Sequence, residues 1–303
     1  MRHANRGSLV AGAVVWVLMV AFTVPTTVSA WGWEAHRRIH SAALSVLPAE
    51  MKAAIAGHEE SLIAHSVDPD MWKHDPDERH RHWFDVELAD ATPPYGDEIP
   101  RDLATALERY GADSLRKIGV LPWRIASYTD TVVAAMQDPT AEMWVDMAAL
   151  GHYVADSYMP MHATVNYDGQ FTGNRGIHFR LEWWMLEGNW DRIALTVDAL
   201  TPVDDPLGDA WNSVLYSHSL VDSVLAADTA LRSQFRAPVM RADGRPQADQ
   251  EYDQRLFEVL GPLAEDRMQA AAAAVAGYWF YAWTRAGRPP LVGVPSPGPP
   301  PEE

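Results

Sequence analysis

The sequence predicts an all-α fold, a single multi-helix domain. Apolar residues recur at spacings of three and four along most of the chain, which is the period of a helix that buries one face. Alternating, β-branched runs of the kind that form strands are scarce. Of the 303 residues, 48% are hydrophobic and 21% are charged, a composition typical of a folded domain rather than of a disordered chain.

The helical period predicts the elements in order along the chain, with no internal repeat. Pro, Gly and Asp cluster between the periodic segments, in "HDPDER", "TPPYGDEIP", "NYDGQFTGNRG" and "TPVDDPLGD", and such clusters indicate loops. The predicted helices cover residues 34–47, 50–66, 102–117, 121–136, 141–157, 178–187, 207–233 and 251–285.

The first 30 residues have the pattern of an export signal. Arg2 and Arg6 precede an apolar run from Leu9 to Val24, and "PTTVSA" then ends in small residues at the spacing that a signal peptidase accepts. An uncleaved membrane anchor is the alternative, but the run is shorter than the roughly 20 residues that a spanning helix needs. We expect a signal peptide over residues 1–30, so that the mature protein begins at Trp31 and is periplasmic or secreted.

The mature chain is strongly acidic and contains no cysteine. Removal of Arg2 and Arg6 leaves 22 basic against 41 acidic side chains, a formal charge of −19 in place of −17. Such a surface repels polyanions at long range, which argues against a dedicated binder of duplex DNA. It does not exclude an enzyme that cuts phosphodiesters with bound cations. Without cysteine, any metal must take nitrogen and oxygen ligands.

The remaining chain divides into a domain over residues 31–287 and a Pro-rich tail over residues 288–303. The tail, "RPPLVGVPSPGPPPEE", is expected to be flexible and not to pack.

Histidines and carboxylates recur at helical spacing in two motifs. In "LGHYVADSYMPMH", His152 and Asp156 lie four residues apart, so a helix projects them from one face, and His162 follows. The segment is apolar, and ionisable groups buried in it need a partner, which a metal can provide. In "GIHFRLE", His178 and Glu182 repeat the spacing. A solvated ion pair is the alternative for either motif.

Further candidate ligands lie upstream. "SVDPD" contains Asp68, "HRHWFD" contains His82, and "WGWEAH" places His36 five residues after Trp31. Neutral imidazole and carboxylate are ligands that zinc accepts when thiolates are missing.

Taken together and in order, these motifs resemble the trinuclear zinc site of the bacterial zinc-dependent phospholipase C and single-strand-specific nuclease superfamily. The motifs cover the chain from Trp31 to about Glu187, and beyond them the resemblance rests only on helical character. The residues that carry it are Trp31, His36, Asp68, His82, His152, Asp156, His162, His178 and Glu182.

The resemblance implies three zinc ions at the bottom of a cleft. One zinc is held by Asp68, His82 and His152, and Asp156 bridges it to a second. It also implies phosphodiester hydrolysis, because closely spaced cations lower the pKa of bound water and neutralise charge on the phosphoryl oxygens. Asp68 is then the candidate that orients or deprotonates the attacking water.

The second zinc is implied to bind His36 together with the free amino group and carbonyl oxygen of Trp31. The third is implied to bind His162, His178 and Glu182 and to keep open positions for water or phosphate. Arg175 and Arg180 lie near this last motif, either contacting phosphate or as ordinary surface charges.

The substrate stays open between phospholipid and single-stranded nucleic acid. Glu182 and the lack of cysteine resemble the phospholipases, which we place first. The short interval from Trp31 to His36 and the "HWFD" element resemble the nucleases, in which Trp83 stacks on a base, with core packing as its alternative. Trp183 and Trp184 are candidates for transient contact with a membrane surface.

A hypothesis from another class is a non-catalytic exported zinc-binding protein. The bridging carboxylate and the N-terminal ligand implied by the resemblance favour catalysis, because that arrangement leaves coordination positions open.

Overall fold

The computed structural model describes residues 31–300. Within that range the chain is all-α, as predicted, and its β-structure is confined to an isolated bridge between Met240 and Pro246. The predicted signal peptide, residues 1–30, lies outside the described residues. None of the described helices is long and apolar enough to cross a membrane.

The α-helices are numbered in chain order. They are α1 (Trp33–Val46), α2 (Ala49–Ala54), α3 (Glu59–Ala64), α4 (Asp68–Met71), α5 (Pro76–Arg79), α6 (Val86–Ala89), α7 (Leu103–Tyr110), α8 (Ala112–Ile118), α9 (Leu121–Gln137), α10 (Glu142–Asp156), α11 (Ile177–Phe179), α12 (Met185–Glu187), α13 (Pro206–Ser219), α14 (Val221–Gln234) and α15 (Gln250–Arg285). Short 3₁₀ turns cover His65–Val67, Trp72–His74, Pro160–His162 and Trp190–Arg192, and a π-helical turn, Arg180–Trp184, joins α11 to α12.

Some of the predicted helices are divided in the structure. The segment 50–66 breaks between α2 and α3, where Gly57 has a φ of +89°, and 102–117 breaks at Gly111, with a φ of +77°. Glycine adopts a positive φ without steric cost, and such a residue ends a helix. The apolar period continues on both sides of each break, so it does not reveal the interruption.

Helix α10 lies in the core and carries the first motif. Its side chains are buried almost throughout, and it contacts α1, α9 and α15. Gly151 permits this close approach, because a Cβ there would lie 2.5 Å from His40 Nε2 and 3.1 Å from the ring of Trp279. The indole of Trp279 donates to Met147 O over 2.7 Å. Packing on several sides therefore fixes the position of α10 and of the ligands that it carries.

The stretch "HDPDER", predicted as a loop, contains helix α5. Pro76 stands at its first position, where a missing N–H costs nothing. The side chain of Asp75 caps the helix by accepting from the N–H of Asp77 over 2.9 Å. This helix places Glu78 on the buried side, beside the site described below.

The Pro-rich tail packs against the domain, which corrects the expectation that it cannot. Leu291 is fully buried and its N–H donates to Ala54 O over 3.1 Å, and Val294 is buried as well. Prolines dominate the composition of the tail and indicated a flexible segment, whereas these two apolar side chains bury surface against the domain and hold the tail there.

Candidate metal centre

The C-terminal end of α10 brings the first motif together. His152 and Asp156 lie on one face, with His152 Nε2 3.3 Å from Asp156 Oδ2, and both side chains are fully buried. The chain then turns into Pro160–His162, which returns His162 to the same place, with its Nδ1 3.6 Å from Asp156 Oδ1. The helix and the turn after it thus bring three candidate ligands, two imidazoles and one carboxylate, close together.

Three groups of side chains in the described part of the chain are arranged to hold metal ions. In each, one ligand atom per residue lies within 4.8 Å of the others, and every member is buried. The first group is His36, Asp70 and His152, the second is His82, His152 and Asp156, and the third is His162, His178 and Glu182.

Asp156 lies between the groups and faces all of them. Its Oδ1 is 3.5 Å from His36 Nε2, and its Oδ2 is 2.9 Å from His82 Nδ1. The rings of His36 and His152 stack with centroids 3.9 Å apart. One carboxylate therefore has an oxygen available on each side, which is the geometry that a bridging ligand needs.

The third group is built on the π-helical turn. His178 Nε2 lies 2.7 Å from Glu182 Oε1, and His162 Nε2 lies 3.2 Å from the same oxygen. A π-helical turn widens the helix by one residue, and such turns are frequent at functional sites. The four-residue spacing of His178 and Glu182 thus brings them together although the backbone between them is not regular α-helix.

The sequence placed Asp68 among the ligands, but within the described part of the chain it belongs to none of the three groups. Its Oδ2 lies 2.6 Å from His65 Nδ1, and its Oδ1 is buried without a hydrogen-bond partner there. The neighbouring acid Asp70 lies near His152, where Asp68 was expected, with its Oδ1 3.6 Å from His152 Nε2. The two acids share the short helix α4, where a separation of two residues turns their side chains about 200° apart. Only one of them can face the centre.

Trp31 lies beside the centre. Its indole donates to the carbonyl oxygen of Ala155 over 3.1 Å, and its side chain is fully buried. Gly32 lies against the third group, because a Cβ there would be 2.9 Å from the carbonyl oxygen of Glu182. The chain at positions 31 and 32 therefore runs between the end of α10 and the π-helical turn.

Buried polar atoms without partners test whether a metal fits here. Both ring nitrogens of His36, Oδ1 of Asp156, and Nδ1 of His162 and of His178 are buried with no hydrogen-bond partner among the described residues. Buried polar atoms are normally satisfied, so a concentration of such atoms in one place calls for another partner. The donors are nitrogen and oxygen only, a set that zinc accepts.

The protonation states of His36, His178 and Asp156 also suit a cation. Burial, helped by His152, lowers the pKa of His36 to about 4, and burial lowers the pKa of His178 to about 4, so both are neutral ligands at pH 7. Burial raises the pKa of Glu182 to about 8. Burial acts in the same direction on Asp156, but the imidazoles of His152 and His162 outweigh it and hold its pKa well below the usual range.

Other side chains, which the sequence analysis missed, support the ligands. Glu78 accepts from the hydroxyl of Tyr153 over 2.5 Å, and its Oε1 lies 3.3 Å from His82 Nε2. The carbonyl oxygen of Ser66 lies 2.8 Å from His152 Nδ1 and thereby orients that ring. Such contacts join distant parts of the chain, so the spacing of residues along the sequence cannot predict them.

A cavity of about 330 Å³ opens beside the second and third groups. His82, His162 and His178 line it, together with the cations Lys73, Arg79 and Lys117. Lys73 is buried, with Nζ 2.6 Å from Asp70 Oδ1. Lys73 is thus paired with an acid, and in a chain as acidic as this one the other two cations, Arg79 and Lys117, favour an anionic ligand.

Aromatic and acidic residues complete the same cavity. Trp83 and Tyr167 line it, and both rings are partly exposed. Asp85 also lines it, and burial together with Glu87 raises the pKa of Asp85 to about 8, so this carboxyl is neutral at pH 7. The carboxyl thus adds no negative charge to the mouth under ordinary conditions.

The two arginines near the third motif lie in different environments. Arg180 is fully buried and pairs with Asp253, and its side chain also donates to Gln247 O over 2.6 Å. Its role is to hold the π-helical turn against α15, not to contact a ligand. Arg175 is exposed.

The adjacent tryptophans pack on neighbours. Trp183 stacks on Phe179 with ring centroids 5.9 Å apart and meets Trp33 edge-on, and the indole of Trp184 donates to Pro246 O over 3.4 Å. Both are partly buried. Each ring therefore offers only part of its surface to a membrane or another partner.

Neither the models of known protein families nor the curated proteins give a match to this chain.

Proposed function

We propose that this protein is an exported zinc-dependent hydrolase of phosphate esters, resembling the zinc-dependent phospholipases C and single-strand-specific nucleases. The observation that carries the proposal is the centre itself. Three buried groups of nitrogen and oxygen ligands there surround one carboxylate, beside a cavity that is lined in part by cationic side chains. A purely structural cluster needs no such cavity.

Zinc ions at these groups would supply activated water at neutral pH and neutralise charge on the phosphoryl oxygens. His36, Asp70, His82, His152 and Asp156 would together hold two ions, and the third group, defined above, would hold the last. Because Nδ1 of His152 contacts Ser66 O, the ring has one nitrogen left and would bind only one of the two ions. The amino group of Trp31, once freed by cleavage after Ala30, would add a ligand, which the contact of the Trp31 indole with Ala155 O at the end of α10 supports.

Asp70 replaces Asp68 as the candidate for orienting the attacking water. Burial opposes its ionisation, but Lys73 and the neighbouring histidines outweigh burial and hold the pKa of Asp70 far below the usual range. A carboxylate that remains ionised is a weak base but a good hydrogen-bond acceptor. Its role is therefore to fix the direction of the water more than to remove its proton.

The cationic side chains that line the cavity indicate which substrates it favours. Arg79 and Lys117 attract a phosphate, and they repel a cationic headgroup such as choline. Phospholipid hydrolysis stays our first proposal, with a headgroup that carries no cation. Hydrolysis of single-stranded nucleic acid is the second, because the partly exposed ring of Trp83 lies among these cations.

The test offers the mature, zinc-loaded protein single-stranded RNA, phosphatidylglycerol vesicles and phosphatidylcholine vesicles in parallel. We expect release of glycerol phosphate from phosphatidylglycerol or of nucleotides from RNA, abolished by a chelator and restored by zinc. A matched variant, Lys117→Met, should weaken binding of the anionic substrate and keep the zinc. Zinc-loaded protein that hydrolyses none of the three would favour the alternative of non-catalytic zinc binding.

A further inference from the structure

The C-terminal strap, residues 289–298, follows a defined path over the domain. The indole of Trp283 at the end of α15 donates to Pro289 O over 2.9 Å, which starts the strap. Leu291 then anchors it by full burial and by the hydrogen bond from its N–H to Ala54 O. The strap is thereby directed toward the turns that follow α2 and α3.

The far end of the strap contacts two buried histidines. Ser296 Oγ lies 3.2 Å from Nδ1 of His58, whose ring stacks on Trp144 of α10 with centroids 4.1 Å apart. Gly298 O lies 3.0 Å from Nε2 of His65. His65 is almost fully buried, so this carbonyl oxygen is its partner in place of water.

His65 connects the strap to the metal centre. Its Nδ1 lies 2.6 Å from Asp68 Oδ2 at the start of α4, and α4 carries Asp70. The residue after His65, Ser66, supplies the carbonyl oxygen that orients His152. The segment from His65 to Met71 therefore contributes two contacts to the first group, and the strap holds this segment at His65.

Segment 65–71 needs such support because of its length. It consists of a 3₁₀ turn of three residues followed by the four-residue helix α4. Helices this short are unstable by themselves, and their geometry is set by tertiary contacts. A metal group, in turn, needs its ligands held to about 0.5 Å.

We propose that the C-terminal strap is a positioning element of the first metal group. Through His65 it holds segment 65–71 so that the Asp70 carboxylate and the Ser66 carbonyl oxygen both meet His152. This inference rests on the metal-binding part of the proposed function and not on the hydrolytic reaction.

The first experiment compares mature full-length protein with a chain that ends at Arg288. Zinc content is measured by elemental analysis, and zinc affinity by competition with a chromogenic chelator. Removal of the strap should weaken the affinity of part of the zinc by roughly 10- to 100-fold, as for other contacts behind metal ligands, while the third group keeps its zinc. Unchanged affinity would overturn the proposal. Full-length protein that takes up no zinc would instead contradict the proposed function.

A point variant covers the case in which the shortened chain fails to fold. His65→Ala in the full-length chain should reproduce the loss of affinity, and Ser296→Ala, which removes only the contact to His58, is the matched control. Shortening the His65→Ala chain should add little, because both changes break one connection. Wild-type zinc affinity in His65→Ala would refute the role given to the strap.

Discussion

Two neighbouring acids with different surroundings give the sharpest test of the centre. We predict that Asp70→Asn removes a metal ligand, whereas Asp68→Asn alters only a supporting contact. Asp70 Oδ1 lies 3.6 Å from His152 Nε2, while Asp68 Oδ2 lies 2.6 Å from His65 Nδ1. The two substitutions are chemically identical and two residues apart, so each serves as the control for the other.

The expected magnitudes follow from these contacts. Loss of a partner behind a ligand costs roughly 10- to 100-fold in metal affinity. Loss of a ligand should cost more, so Asp70→Asn should weaken the binding of one zinc by at least ~100-fold, or about 2.8 kcal/mol at 1.4 kcal/mol for each factor of ten. Asp68→Asn keeps an oxygen that accepts a hydrogen bond from His65, and the change in zinc affinity should stay within about tenfold.

The assay is a competition titration of each variant against a chromogenic zinc chelator, with thermal unfolding as a check that both chains fold. Hydrolysis of the best substrate should fall with the zinc in Asp70→Asn and persist in Asp68→Asn. If Asp68→Asn loses a zinc and Asp70→Asn retains it, the placement of these acids is refuted.

The rest of the centre gives further predictions. Gly151→Ala should lower the melting temperature, because the new Cβ would lie 2.5 Å from His40 Nε2. Overpacking a core in this way costs about 1–3 kcal/mol. An unchanged melting temperature would contradict this prediction. As pH rises through about 8, Asp85 ionises in the cavity, so the KM for an anionic substrate should rise, and Asp85→Asn should remove that rise. The carboxyl of Glu182 has a pKa of about 8 in the metal-free protein and is protonated below that pH. Zinc uptake at pH 7 should therefore release this proton. Calorimetry in buffers of different ionisation enthalpy would detect the release, which should be lost in Glu182→Gln. An extra residue before Trp31 should lower the zinc content by one ion in elemental analysis, and unchanged content would exclude its amine as a ligand.

Local spacing predicted what depends on neighbouring residues. The apolar period indicated the all-α fold, and the separation of His152 and Asp156 by four residues placed them on one helix face, where the structure has them. The same spacing put His178 beside Glu182, even though the turn between them is π-helical.

Features that depend on distant contacts could not be predicted in this way. "DPD" contains two acids, and which of them faces the centre depends on how the turn before α4 is oriented by His65 and the strap. The burial of Leu291 could not be predicted, because prolines dominate the composition of the tail. Glu78 lies in "HDPDER", whose composition indicated only a loop, and Lys73 immediately precedes it.

The most direct test of the account is anomalous diffraction at the zinc absorption edge from crystals of the chain beginning at Trp31, grown with zinc. We expect three peaks, one at the third group and two among the ligands of the first and second groups, with the carboxylate of Asp156 between the sites and that of Asp70 beside one of the pair. Crystals with zinc in the solvent but no peak at these groups would contradict it.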